Sequence, residues 1–158
     1  ELKYWNENVD PYIADKSGQK IWEIIKGASH GWDEAGTPVK YYVQNTVVVK
    51  RGKNNDFLKF HRRLKQVFSE TEYTGNRGVF RLTSGGNNQT FMVIRGFDSH
   101  ETVFTSNLSE DKNWRNVYAE KFGDTALEED WPAFNDAIEM WGSSSVKMMY
   151  RPDLSSKL

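Results

Sequence analysis

The chain has 158 residues and a formal charge of −1, with 21 Lys and Arg against 22 Asp and Glu. That length suits one globular domain, and the near-neutral balance excludes the positive field that nucleic-acid and polybasic membrane binders need. Cysteine is absent, which removes disulfides, Cys-ligated zinc, iron–sulfur clusters and thiol catalysis together, and no apolar run is long enough to span a bilayer.

In chain order, residues 19–32 read as an amphipathic helix, with Ile21, Ile25, Ala28 and Trp32 at i, i+4, i+7 and i+11. Gly31, Gly36 and Pro38 end it. Tyr41 to Lys50 is β-branched and aromatic without a breaker, so it predicts one long strand or two strands meeting near Asn45. A turn at Arg51-Gly52-Lys53 follows, with Asn54, Asn55 and Asp56 as candidate caps. A helix then runs from Phe57 to about Glu72, with Phe57, His61, Leu64 and Phe68 on one stripe. Residues 78–83 and 90–97 form a hairpin around a loop of Gly, Asn and Ser. Asp98 and Ser99 are suited to cap a short helix through Phe104. Another helix starts at Ser109, carries Trp114, Tyr118 and Phe122 on one face, and stops at Gly123. The last helix carries Leu127, Trp131, Phe134, Ile138 and Trp141, with Asp130 as its cap and Pro132 in its first turn. A final strand spans Val146 to Tyr150.

From residue 41 the order is strand, helix, strand, strand, one or two helices, strand. This is the βαββαβ arrangement of ferredoxin-like α+β folds, with helices on one face of a four-stranded antiparallel sheet. Both faces of the strands are substantially apolar: Tyr41, Val43, Val47 and Val49 oppose Tyr42 and Val48, and Phe91, Val93 and Phe97 oppose Met92 and Ile94. A solvated face would alternate with polar residues. The pattern therefore predicts that a second sheet, from another subunit or a tandem module, covers the open face and closes an α+β barrel.

The six Trp suggest a repeat. Trp5, Trp22 and Trp32 recur as Trp114, Trp131 and Trp141 at a constant offset of 109, and Ala28 recurs as Ala137. On that basis residues 1–40 are an N-terminal helical segment resembling the second half of a module, residues 41–151 a complete module, and residues 152–158 a tail. The missing first half would occupy about 65 residues upstream of Glu1. Most of the Trp are expected in the core. The Glu1 start and a cysteine-free, Asn- and aromatic-rich composition lean towards a periplasmic or secreted protein.

Val47-Val48-Val49-Lys50-Arg51-Gly52-Lys53 running into Asn55-Asp56-Phe57-Leu58-Lys59-Phe60, together with Ile94-Arg95-Gly96-Phe97-Asp98-Ser99, resembles the dimeric α+β barrel superfamily. That group contains antibiotic-biosynthesis-type monooxygenases and NIPSNAP-like proteins. The resemblance covers roughly residues 41–151 and implies a fold and a barrel partner, without a substrate. The stretch from 105 to 125 is longer than such modules need, and the first 40 residues lie outside one module.

Three polar residues intrude on apolar faces. His61 shares the helix stripe of Phe57, Leu64 and Phe68, and reads either as a hydrogen-bonded packing residue or as a general base or ligand contact in a pocket between helix and sheet. Asn45 shares a strand face with Val43 and Val47, and Arg95 shares one with Val93 and Phe97. Each is internally satisfied or aimed at a cavity. Cofactor-independent members of the resembled family use Asn, Trp, His or Arg at such interior positions, which makes these three the candidate ligand-binding residues and His61 the candidate catalytic one. His30 and His100 are expected at the surface, and no His spacing suits a metal.

The leading functional reading is a small-molecule-binding α+β barrel protein whose aromatic-lined interior holds an apolar or aromatic ligand. It calls for no cofactor, metal or nucleic acid, and for a homo-oligomer or tandem pairing through the open sheet face. The alternatives are a cofactor-independent monooxygenase or isomerase using His61 or Asn45, and an assembly module with a fully packed barrel.

Overall fold

Five strands hydrogen-bond into one antiparallel sheet in the computed structural model, which describes residues 19–32, 40–71, 75–97, 99 and 114–149. The strands are β1 (Ile21–Ile24), β2 (Tyr41–Val48), β3 (Arg77–Ser84), β4 (Thr90–Phe97) and β5 (Ser144–Met149), in the spatial order β1-β3-β4-β2-β5. Three helices accompany them: α1 (Asn54–Glu70), α2 (Trp114–Phe122) and α3 (Ala126–Asp136). Among the described residues the molecule is thus α+β, with an antiparallel sheet and three helices.

The segment 19–32 is not a helix. Ile21–Ile24 pairs with β3 as an edge strand, and a single 3-10 turn at Lys26–Ala28 follows. Its apolar spacing fits a helix equally well, but Ile21, Ile24 and Ile25 are β-branched and a paired edge was available at β3. Strand alternation then puts Trp22 and Ile24 half-buried and leaves Ile21 and Glu23 exposed. The close approach of this segment depends on Gly85, whose φ is +84° and where an added Cβ would lie 2.0 Å from the Gln19 carbonyl oxygen.

The repeat of Trp positions does not survive as repeated structure, because Trp22 lies in a strand and its counterpart Trp131 in a helix. One correspondence does hold. Ala28 and Ala137 are both buried in the same core cluster, and each precedes an isolated β-bridge, His30 with Arg77 and Ile138 with Val49. Trp5 and the other residues before 19 lie outside the described residues, as does the short helix expected after Asp98.

The strand β2 is unbroken at Asn45, which pairs with Val93 on one side and Ser145 on the other. The helix α1 buries Phe57, Phe60, His61, Leu64, Val67 and Phe68, the i, i+3, i+4, i+7 stripe of an amphipathic helix. It begins one turn earlier than its apolar stripe. Lys53 takes the N-cap position with no side-chain cap bond, so none of Asn54, Asn55 and Asp56 caps it. The last helix also ends earlier than its periodicity predicts. After Asp136 the backbone turns into the sheet, where Lys50 N–H donates to the Ala137 carbonyl and Glu139 N–H to the Val48 carbonyl, both at 2.8 Å. Trp141 therefore sits in a turn and is 85% exposed, and Trp131 is half-exposed, so neither is a core residue.

The helix-facing side of the sheet carries Val43, Asn45 and Val47 of β2, Val79 of β3, and Phe91, Val93, Arg95 and Phe97 of β4. The core forms there. Phe57, Phe91, Val79 and Val93 make one cluster with Ala28 and Ala137, and Phe60, Leu64, Val67, Phe68 and Tyr118 make a second. Across the other face one register row runs Ile24, Phe80, Met92, Thr46, Ser144. Among the described residues no helix lies on that face. Val146 and Met148 are exposed there, and Phe80 is met by Trp32 at a ring separation of 5.4 Å.

Candidate functional site

Asn45, His61 and Arg95, the three polar residues that intrude on apolar faces, line one half-open cavity of about 380 Å³ between the helices and the sheet. Each arrives on a different element. Strand alternation directs Asn45 and Arg95 to the same side of the sheet, and the α1 stripe lays His61 over them. Phe57, Phe60 and Phe134 complete the apolar wall, and the half-exposed Trp131 stands at the rim. The volume lies near the lower end of the ~300–1,000 Å³ range of small-molecule sites.

His61 is 1% exposed and sits in a box of rings, 4.5 Å from Phe57 and 5.3 Å from Phe134 by centroid, both edge-on. Arg77 Nη2 lies 3.0 Å from its Nδ1. A guanidinium only donates, so Nδ1 accepts and the proton of the neutral ring resides on Nε2. Burial above all, with the Arg77 charge beside it, holds the imidazole well below its ordinary pKa. The ring is therefore neutral at pH 7. Its Nε2 is buried and has no hydrogen-bond partner among the described residues, which leaves one N–H donor unspent on a side chain that lines the cavity.

His61 is thus a packed, hydrogen-bonded core residue that also lines a cavity. The arrangement suits donation to a carbonyl or carboxylate oxygen. It does not suit proton abstraction, because Nδ1 is occupied and a positive ring would face Arg77.

Arg77 escaped the sequence reading because the hairpin was expected to start at Gly78. The parity that flagged Arg95 would have found it, since Arg77 alternates with the buried Val79. Asp130 was also misread. Instead of capping α3, it is 3% exposed and accepts from Lys59 at 2.8 Å, from Arg63 and from the Tyr118 hydroxyl. Pro132 lies inside α3 rather than in its first turn. Of the other histidines, His30 is half-buried with its ring 6.0 Å from Phe68, and His100 lies outside the described residues.

The chain matches no family model, no curated protein and no solved structure. Its own geometry is the ground for a functional reading. Among the described residues no cluster of His, Asp and Glu suits a metal ion, and no helix is long and apolar enough to cross a membrane.

Proposed function

We propose that this protein binds a small apolar or aromatic molecule in the cavity beneath α1 and α3. The observation that carries this reading is the convergence of Asn45, His61 and Arg95, from three separate elements, on one aromatic-walled space. Buried polar groups normally find partners within the protein. Among the described residues the His61 Nε2 and Arg95 Nε have none, which leaves two donors of the lining side chains unspent. The cavity lies on the helix-covered face of the sheet rather than inside a barrel. The state of His61 favours binding over an enzyme that relies on it as a base.

Prodan, a neutral naphthyl ketone whose emission shifts in apolar surroundings, serves as the probe. We expect saturable binding with a blue shift. Val93→Phe should abolish it by filling the cavity, and Val47→Phe provides a second blocking position. Met92→Gln, one residue along β4 but on the opposite face, should leave binding intact. Equal binding by the blocked variants would contradict the proposal.

The fold we propose is ferredoxin-like, since the order β3-β4-β2-β5 with α1 between β2 and β3 follows that plan. Membership of the dimeric α+β barrel superfamily follows as a proposal from the same plan and from the motifs around Val47–Phe60. The face opposite the helices, with its concavity lined by Trp22, Leu82 and Met92 beside Gln44, Thr46 and Thr90, would then pair with a second copy. Sedimentation velocity should give a dimer that Met92→Asp dissociates; a wild-type monomer at tens of micromolar would rule out closure by a second copy.

A further inference from the structure

The polar end of the cavity has a sign. Arg77 and Arg95 are direct cross-strand partners between β3 and β4, and both line the cavity. Like charges directly opposite each other in a sheet are destabilising. The same register row continues through Val43 to Lys147 on one side and to His30 on the other. Among the described residues, the cavity lining holds no Asp or Glu. Arg95 forms no ion pair with them, its Nε is buried without an acceptor, and its guanidinium carbon lies 5.6 Å from the Phe97 ring.

The Arg95 guanidinium, held opposite Arg77 on a half-buried strand, calls for a counter-charge. Among the described residues the rest of the lining is uncharged, with His61 and Asn45 as its other polar side chains and an apolar wall of Phe57, Phe60 and Phe134. A planar two-oxygen head matches the guanidinium fork. A small cavity that is mostly aromatic leaves room for one ring system behind that head.

We propose that the ligand is a small aromatic carboxylate, its carboxylate seated at Arg95 and its ring against the phenylalanines of α1 and α3. This rests on the cavity being a ligand site, and the probes separate the two claims. Isothermal titration compares 2-naphthoate with 2-naphthamide, which has the same shape without the charge. We expect naphthoate to bind at least tenfold more tightly than naphthamide, and Arg95→Met to erase that preference. Arg95→Lys keeps the charge but loses the fork. It should weaken naphthoate several-fold, and it decides the matter if the Met variant fails to fold. Equal binding of acid and amide, or a preference that persists without Arg95, overturns the carboxylate assignment while prodan binding still stands. If naphthoate, naphthamide and prodan all fail to bind, the ligand site itself is overturned.

Discussion

Asp130→Ala is expected to cost about 3–5 kcal/mol of folding free energy, the loss typical of removing one partner from a buried charge pair. Asp130 is 3% exposed and joins three helices: Lys59 and Arg63 come from α1, Tyr118 from α2, and Asp130 itself from α3. Truncation strands the fully buried Tyr118 hydroxyl and the Arg63 guanidinium, which lies 4.6 Å from the Phe122 ring. Lys59 is half-exposed and adds little, because solvent screens it. Burial alone would raise the Asp130 pKa, but hydrogen bonds from Lys59, Tyr118 and Arg63 outweigh it and hold the carboxyl below its ordinary value. The folded pKa is thus depressed. Its stabilising contribution is complete above the unfolded value of about 4 and is lost as pH falls through the folded value. Urea midpoints from pH 7 to pH 3 should show that acid loss in the wild type and a shallower slope in Asp130→Asn. A cost below about 1 kcal/mol for Asp130→Ala would mean that the three donors are satisfied without it.

Phe57→Ala is expected to cost a further order of the same size, about 3–5 kcal/mol. Phe57 is 1% exposed, lies 4.9 Å from Phe91 and stacks on Phe134 at 5.5 Å. It is the wall shared by the core cluster and the cavity under α1, so truncation enlarges that space and removes ring contacts. The denaturation midpoint should fall with an unchanged slope, and prodan affinity should fall with it. A variant as stable as the wild type would mean that the helices are not seated on the sheet at this point.

How much of this was legible in the sequence differs from element to element. The strands β2, β3 and β4 and the helix α1 could be read because their apolar periods are long and each buries one defined face. The segment 21–28 could not, since four isoleucine and tryptophan positions satisfy both periods and only the vacant edge of β3 selects the strand. The end of α3 was hidden for a similar reason. Its apolar period runs on to Trp141, but the bridge from Ile138 to Val49 draws the backbone away after Asp136. The candidate site was legible through polarity out of place, which singled out Asn45, His61 and Arg95, three residues that line one cavity. Asp130 was missed because a carboxylate near a helix start has an ordinary explanation, and its true partners are 12 to 71 residues away in sequence.

The central claim is that a ligand enters the space under α1 and meets the free donor of His61. Long-range proton–nitrogen correlation of the His61 ring, titrated in pH and then with prodan, reads this directly. We expect a neutral ring protonated on Nε2 that stays neutral well below pH 6.5, with an Nε2 resonance that moves as prodan saturates. An imidazolium at pH 6.5, or an Nε2 signal unmoved while prodan is bound, would contradict it.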